Sequence, residues 1–237
     1  MRGQPGYGRR GRGRGGNNAG VLFVVVMLWQ QIQRLPWKPP ATLALTGLMV
    51  YLHVVPQQWQ AMFHTSSVRD VCLLPAAVVA GDEPLTRLIL PAFLHGDDTH
   101  LYYNMVSFLW KGVNLERTLG SADFVIMTGF LLIVSHVLVI GLAVAADANG
   151  LPFDLMNQCA VGFSAVLFGL KVVLNQATPS SPTVVGGFRI PMRYAAWAEL
   201  LLIQVMVPRA SFVGHLAGIL AGLLWIVGGR FLVTAGP

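Results

Sequence analysis

Residues 211–229 read SFVGHLAGILAGLLWIVGG, an apolar stretch of bilayer length that contains one ionisable residue, His215. The hydrocarbon core of a membrane needs about 20 apolar residues of helix, and ionisable groups inside it are costly and mark function by default. Small residues recur at every fourth position, at Gly214, Gly218 and Gly222. Because this spacing lets a second helix approach closely, we expect a tightly packed helix with a functional histidine.

A second apolar stretch, AVGFSAVLFGLKVVL at residues 160–174, supplies a partner for the first. It contains Ser164, and Ala165 and Gly169 offer a matching pair of small residues. A serine–histidine hydrogen bond needs about 2.6–3.2 Å between heavy atoms, which bulky residues between the helices would prevent. Either motif alone usually means only helix packing or a serine bonded to its own backbone. Together they favour Ser164 as a nucleophile and His215 as its base.

The composition indicates a polytopic membrane protein. The 237 residues are 54% hydrophobic and 11% charged, with a mean hydropathy of +0.62, which excludes an ordinary soluble globule. We expect an all-α fold with six transmembrane helices, although hydropathy alone identifies only two of them clearly, at 124–146 and 212–229. The four weaker candidates are 41–55, 101–113, 160–174 and 194–207.

The chain before the first span divides into two parts. Residues 1–19 include the stretch GRRGRGRGG and are expected to form a disordered, basic cytosolic tail; nucleic-acid binding is the weaker alternative, and no nucleic-acid partner is expected. Residues 20–35 contain an apolar run that is too short to cross a membrane, which favours an interfacial amphipathic segment. Residues 36–233 then form the membrane domain, and 234–237 a short tail.

Charge distribution supports this topology. With the N-terminus in the cytosol, six spans leave three of the 16 Lys and Arg residues outside it, in agreement with the positive-inside rule. The second, fourth and sixth spans then run inwards, so His100, Ser164 and His215 share one depth near the outer surface. Because Asn104 follows His100 by four residues, the two share a helix face. The sequence therefore predicts that four polar side chains converge on one site.

The chain resembles the rhomboid family of intramembrane serine proteases. Within that family it is similar to the rhomboid domain-containing protein 1 type of the endoplasmic reticulum. The resemblance covers about residues 36–233 and implies a six-helix fold with a Ser-His dyad that opens to a lumenal, water-filled cavity. It rests on GFSA at 162–165, GHLAG at 214–218, the spacing of His95, His100 and Asn104, and LERTLGS at 115–121.

The chemistry of a dyad assigns roles to these residues. Ser164 attacks the scissile carbonyl, while His215 removes its proton and later protonates the leaving amine. The side chains of His100 and Asn104, with the Ser164 backbone N–H, are expected to bind the oxyanion.

Two neighbouring residues are expected to support the base and the substrate. Phe168, one turn after Ser164, is expected to stack under His215, at a position where the family commonly has tyrosine. Gly162, two residues before Ser164, is likewise expected to support the substrate and the base.

Other features are expected to be structural. Arg87 and Glu116 match loop anchors of the family, but Thr86 and Thr118 replace its usual tryptophan and arginine. His95 is expected to fix a loop through hydrogen bonds. The apolar connection at 56–98 is expected to lie half-sunk in the outer leaflet.

Two questions stay open at this stage. Cys72 and Cys159 both face the oxidising side, where a disulfide and free thiols are equally compatible with the sequence. Glu199 is expected to bond a neighbouring helix, with substrate gating as the less favoured alternative.

We therefore expect a serine endopeptidase that cleaves transmembrane proteins in or near their membrane segments, possessing no metal and no cofactor. A pseudoprotease that only binds membrane clients is the alternative, and a transporter would need polar groups near the bilayer centre. Expected partners are transmembrane substrates and the lipid bilayer. Ubiquitin and AAA ATPase contacts are not expected, because only FLVTAGP follows Arg230. The expected location is the endoplasmic reticulum membrane, with both termini cytosolic.

Overall fold

The computed structural model describes residues 16–65, 67–82 and 84–228. The expectations for residues 1–15 and for 229–237, which include most of the basic tail and the last four residues, lie outside the described residues. The described helices are α1 Gly16–Arg34, α2 Pro40–Val54, α3 Pro56–Met62, α4 Pro75–Val79, α5 Pro84–Ile89, α6 Asp98–Leu119, α7 Ser121–Ala148, α8 Ser164–Asn175, α9 Ala195–Met206 and α10 Phe212–Val227. Short 3-10 helices lie at Val68–Asp70, Leu90–Phe93 and Met192–Tyr194.

Helices α2 and α6–α10 overlap the six sequence segments that were expected to be spans. By length and composition, α7 is the one described helix that is long and apolar enough to cross a membrane. Helices α2, α8 and α10 are apolar but shorter. The sequence thus located the helices, while the number of crossings does not follow from their length and composition.

The fold is mostly helical and not purely α. Strands β1 (Pro182–Val185) and β2 (Phe188–Pro191) form an antiparallel hairpin between α8 and α9. Val185 pairs with Phe188 across a two-residue turn, in which Gly186 and Gly187 have φ angles of 58° and 87°. Two consecutive positive φ angles match the tight turn that fits the twist of a hairpin, so the Gly-Gly pair explains this element.

Aromatic packing holds the centre of the bundle together. Phe108 of α6 packs edge-on against Phe163 just before α8, with ring centroids 4.9 Å apart, and stacks on Phe124 of α7 at 6.1 Å. All three side chains are fully buried. The start of α8 is therefore fixed against α6 and α7 by the core itself.

Helix α1 follows α6 along its length. At the start of α6, the Asp98 carboxylate lies so close to Gly20 that a Cβ there would clash with it. Near the other end of α6, the Glu116 carboxylate accepts a hydrogen bond from the Ala41 backbone N–H at 2.7 Å, just after the loop that follows α1. The two helices are therefore parallel and lie side by side.

The expected interfacial segment at residues 20–35 falls on α1, and its placement relative to a membrane stays a prediction. Val24 and Leu28 are buried, and large apolar side chains cover the exposed side. Because α1 and α6 are parallel, α1 begins at the end of the bundle where α6 begins. The exposed apolar residues of α1 are Leu22, Phe23, Val25, Val26 and Trp29.

Glu116 anchors the start of α2. Its carboxylate accepts hydrogen bonds from the backbone N–H groups of Ala41 and Thr42, from the Thr42 hydroxyl and from the Ser121 hydroxyl, at 2.7–2.8 Å. A carboxylate at a helix N-terminus satisfies N–H groups that lack partners within the helix. The residue that matches the family motif thus joins α2, α6 and α7.

Candidate active site

Ser164 and His215 meet where two helices begin. Ser164 is the first residue of α8, and His215 lies in the first turn of α10. The distance between Ser164 Oγ and His215 Nε2 is 3.0 Å, within the range of a hydrogen bond. Ser211 caps α10 by accepting a hydrogen bond from the Gly214 N–H at 3.1 Å, which fixes the turn that carries the histidine.

Two glycines bring the helices into backbone contact. A Cβ on Gly218 would overlap the carbonyl of Ala165, and one on Gly222 would lie 2.8 Å from the carbonyl oxygen of Gly169. Gly214 is not at this contact, because a Cβ there would face Ser211 in its own helix cap. The dyad distance therefore depends on the second and third glycines of the stripe.

Phe168 lies under the imidazole, as the sequence indicated. Its ring stacks on that of His215, with centroids 4.6 Å apart and planes inclined by 29°. The phenyl ring has no hydroxyl to donate, so it fixes the plane of the imidazole by packing alone.

His100 faces the glycine that precedes the nucleophile. Gly162 has a φ of 114°, and a Cβ there would lie 2.6 Å from Nε2 of His100. Both the backbone conformation and the close approach therefore require glycine. The Gly96 N–H donates to Nδ1 of His100 at 3.4 Å. A neutral ring that accepts at Nδ1 carries its proton on Nε2, so His100 presents a donor on the side of Gly162.

Asn104 lies one turn further along α6. Its Nδ2 donates to the His100 carbonyl at 2.9 Å, and its Oδ1 is buried without a hydrogen-bond partner among the described residues. The amide nitrogen has two hydrogens, so one donor stays available.

The start of α8 supplies a further donor. The first N–H groups of a helix have no partner within it, and the helix dipole favours negative charge at this end. The Ser164 N–H is the first of these groups in α8. An oxyanion forming beside Ser164 would thus meet a backbone donor and two side-chain donors.

His215 has no carboxylate behind it in the described part of the chain. Its Nδ1 is buried and makes no hydrogen bond there. An imidazole that accepts the Ser164 proton at Nε2 must carry its own proton on Nδ1. Packing against Phe168, rather than an acid, therefore orients the base.

His95 was expected to fix a loop through hydrogen bonds. It is buried and packs edge-on against the ring of His100, with centroids 5.1 Å apart. Neither ring nitrogen has a hydrogen bond of full geometry among the described residues. Burial lowers the pKa of His95 to about 3, the nearby His100 acts in the same direction, and its backbone neighbour in the loop, Phe93, acts to raise it. His95 therefore supports His100 as a neutral, packed ring.

The segment before Ser164 is held from one side by the long connection between α2 and α6. Cys72 and Cys159 form a disulfide, which decides the question that the sequence left open. The next residues pair as an antiparallel bridge, with both hydrogen bonds between Leu73 and Ala160 at 3.0 Å. The Gly162 N–H donates to the carbonyl of Pro91 at 2.9 Å.

Arg87 stiffens this connection from within. The side chain is buried, donates to the Cys72 carbonyl at 3.1 Å and pairs with the Asp82 carboxylate at 2.9 Å. His136 of α7 lies 2.7 Å from the carbonyl of Leu88, so α7 is tied to the same region. The motif arginine keeps its structural role although Thr86 stands where the family has tryptophan.

All four predicted polar residues line one cavity of about 1170 Å³. Asp97 and Arg209 lie at the end where α6 and α10 begin, and Lys111 and Glu199 lie deeper, between α6 and α9. Helix α10 packs closely on α8 and α7, whereas α6 and α9 barely touch. The cavity thus extends from the dyad into the space between α6 and α9, which is large enough for a peptide segment.

In the structure α6 continues to Leu119, so Lys111 lies within the helix, buried, and donates to the hydroxyl of Ser107. Lys171 and Glu199 form an ion pair between α8 and α9, in agreement with the expected bond to a neighbouring helix. The sequence signal for the burial of Lys111 is the LERTLG stretch that follows it, because α6 continues through this stretch to Leu119.

No group of His, Cys, Asp or Glu residues suited to a metal ion occurs in the described ranges. What the site does contain is a serine hydroxyl bonded to an imidazole, with hydrogen-bond donors beside it. That arrangement defines the class: a helical bundle whose cavity contains a hydrogen-bonded serine–histidine pair.

The comparison with known proteins gives the family. Residues 82–230 match the Rhomboid domain, which is more than half of the chain, and the protein belongs to the rhomboid family. The members of this family are membrane proteins, which agrees with the candidate membrane helix α7.

Individual relatives resemble the chain over most of its length. It is 38% identical to Rhomboid-related protein 4 of Mus musculus, over 94% of this chain and 70% of the relative. It is also 38% identical to Rhomboid-like protein 14, mitochondrial, of Arabidopsis thaliana, over 91% of this chain and 64% of the relative. Rhomboid-type serine protease 2 of Debaryomyces hansenii is 30% identical over 61% of this chain and 50% of the relative. No solved structure matches the chain.

Proposed function

We propose that the protein is an intramembrane serine endopeptidase that cleaves transmembrane proteins in or near their membrane segments. The observation that carries the proposal is the 3.0 Å contact between Ser164 Oγ and His215 Nε2 within a cavity large enough for a peptide. One relative is named a serine protease, and the names of the rhomboid-related relatives state no activity.

The reaction follows from the positions of the donors. Ser164 Oγ attacks the scissile carbonyl as its proton passes to Nε2 of His215. The oxyanion accepts hydrogen bonds from the Ser164 N–H, the Nε2–H of His100 and the amide of Asn104. His215 then gives its proton to the leaving amine as the C–N bond breaks, and a water activated by the same imidazole releases the acyl group.

The bilayer is the proposed surrounding of the bundle, with six crossings by α2 and α6–α10 and a seventh by α1, which runs parallel to α6. Large apolar side chains stay exposed on the outside of α7, α9 and α10, where a soluble protein of this size rarely has so continuous a surface. Lipid chains would cover them without cost. These residues include Val125, Ile133, Val137, Leu201, Val205 and Leu224.

We place the active site on the lumenal side of the endoplasmic reticulum membrane and the C-terminus in the cytosol. The Cys72–Cys159 disulfide lies beside the dyad, and disulfides persist in oxidising compartments. The resemblance to the endoplasmic-reticulum type supports this compartment, whereas the name of one relative contains "mitochondrial".

The direction of α1 supports entry of the chain into that helix from the lumenal side, in contrast to the cytosolic N-terminus that the arginine content predicts. A glycosylation acceptor placed before residue 1 tests this point, with acceptors in the 149–158 and 176–181 connections as lumenal and cytosolic controls. Modification at the N-terminus supports parallel α1 and α6 crossings, and an unmodified N-terminus contradicts them.

Cleavage of single-span membrane proteins in reconstituted vesicles tests the function itself. Wild type should release a lumenal fragment, and Ser164→Ala should release none. Ser135→Ala is the matched control, because that hydroxyl bonds the Leu132 carbonyl of its own helix, α7, away from the site. If clients bind but no fragment depends on Ser164, the protein is a pseudoprotease.

A further inference from the structure

Lys111 lines the deeper part of the cavity, between α6 and α9. Among the described lining residues of that part, it is the one cation, and it has no anionic partner. It is 5% exposed, lies in the middle of α6 and donates to the hydroxyl of Ser107. No carboxylate of the described residues is within ion-pair distance of it. The Trp110 ring, whose centroid lies 5.9 Å from Nζ, also attracts the ammonium group. Neither a hydroxyl nor an aromatic ring carries a negative charge, so the charge of the buried ammonium group is left without a counter-ion.

The neighbouring charged residues do not provide a counter-ion for the Lys111 ammonium group. Glu199 lines the same part of the cavity, but its carboxylate is paired with Lys171, which approaches from α8. Two lysines therefore face one glutamate, and the surplus charge is positive. Ionisable groups in membrane helices are costly and are paired or functional.

The rest of this part of the cavity is apolar. Ile203 and Met206 of α9, Val106 of α6 and Leu167 of α8 line it between the dyad and Lys111. Ligand sites commonly combine apolar walls with a few placed polar groups, which fix the register of what binds.

The helix geometry gives the distance from the reacting atoms. Lys111 follows Asn104 by seven residues on α6, which is two turns or about 10 Å along the axis. A client that leaves the dyad inwards in an extended conformation covers this distance in about three residues, and a helical client covers it in about seven.

We propose that Lys111 is a specificity-determining residue that binds an acidic side chain of the client. The aspartate or glutamate lies about three to seven residues from the scissile bond, on its cytosolic side. This inference rests on the proposed function, because the ligand is a transmembrane client. The class of client is a membrane protein whose transmembrane segment carries one acidic residue.

The test measures binding, so that its outcome is separate from that of the cleavage assay. The Ser164→Ala protein in detergent is mixed with a series of single-span clients. Each client carries one Asp at a position from one to ten residues on the cytosolic side of the scissile region, and its matched client carries Asn at the same position. The captured client is quantified by photo-crosslinking. We expect one position at which the Asp client is captured at least about tenfold more than the Asn client, the size of effect typical of a charge-assisted hydrogen bond.

Variants at position 111 assign the preference to the ammonium group. Lys111→Met in the Ser164→Ala protein should bring the Asp to Asn ratio close to one, Lys111→Arg should keep the preference, and Lys111→Glu should favour a Lys client instead. Arg117→Met is the control, because Arg117 is an exposed cation of the same helix outside the cavity lining. Thermal unfolding confirms that each protein used is folded.

Equal capture of the Asp and Asn clients at every position, or a preference that survives in Lys111→Met, overturns the inference. So does loss of a co-purifying anionic lipid in Lys111→Met with unchanged client preference, which would assign the ammonium group to a lipid. A clear preference for Asp without any Ser164-dependent cleavage by wild type would leave the subsite standing and refute the protease.

Discussion

The contact between α8 and α10 and the space between α6 and α9 are opposite kinds of helix pair. At Gly218 and Gly222, α10 touches the backbone of α8, and no side chain separates them. Across the cavity, α6 and α9 barely meet, and the side chains between them include charged ones. The close pair holds two reacting groups at a fixed distance, whereas the open pair leaves room for a substrate. Changes in the first should therefore act on stability and, through the dyad, on the cleavage rate, whereas changes in the second should act on catalysis or selection without loss of stability.

The largest effect is expected on the open side, where Asn104 faces the cavity. Asn104→Ala should lower the cleavage rate by about 10² to 10³, because a lost oxyanion donor typically has this cost, and should leave the thermal unfolding temperature nearly unchanged. Asn114→Ala is the matched control, since Asn114 also donates to the carbonyl four residues earlier on α6, but on the exposed side. An unchanged rate for Asn104→Ala would remove this residue from the oxyanion site.

The disulfide joins the segment just before α8, which belongs to the close pair, to the long connection between α2 and α6. Cys159→Ser should lower the free energy of unfolding by about 2–4 kcal/mol, since a cross-link between distant residues restricts the unfolded chain. Chemical denaturation of the purified protein measures the change, and a reducing agent should reproduce it in wild type. If reduction destabilised Cys159→Ser as much as wild type, the Cys72–Cys159 bond would not be its target.

Within the close pair, Gly218→Ala should lower the free energy of unfolding by about 1–3 kcal/mol, because the added methyl group meets the Ala165 carbonyl and the helices must separate. Cleavage should fall with it, as the dyad distance widens. Gly141→Ala on α7 is the control: nothing lies within 4 Å of its Cβ position, so stability should stay equal or rise by up to about 1 kcal/mol. Wild-type stability in Gly218→Ala would contradict the backbone contact.

The smallest effect is expected at Phe168, which belongs to the close pair and touches the base. Phe168→Leu should raise the activation free energy of cleavage by about 0.5–1.5 kcal/mol, the usual contribution of an aromatic pair, and so lower the cleavage rate. Phe168→Tyr should retain the rate because it keeps the ring. Equal rates for all three proteins would show that the stacking does not orient His215.

The close pair could be predicted from the sequence, because its determinants are local. Small residues spaced by four around Gly218 predict the contact between the two helices. Because His215 lies on the same stretch and Ser164 on the partner stretch, the pattern also predicts that these two side chains meet. Gly214 follows the same spacing, yet it faces Ser211 in its own helix cap, since a periodic pattern does not show where a contact begins.

The features outside the close pair could not be predicted in the same way, because they depend on long-range packing. The burial of Lys111 follows from how far α6 continues, and the bond between Cys72 and Cys159 joins residues 87 apart in the chain. Helix α1 has too few apolar residues to be recognised as a bundle helix, and only its position along α6 reveals this role. The hairpin was missed although Gly186 and Gly187 carry a common turn signal.

Covalent labelling tests the central claim most directly, which is that contact with His215 makes Ser164 a nucleophile. The folded protein is treated with a fluorophosphonate, and the modified residue is identified by mass spectrometry in wild type and in His215→Asn. We expect a single adduct on Ser164 in wild type and its loss in His215→Asn. An adduct on another serine, or equal labelling of Ser164 without the imidazole, would contradict the account.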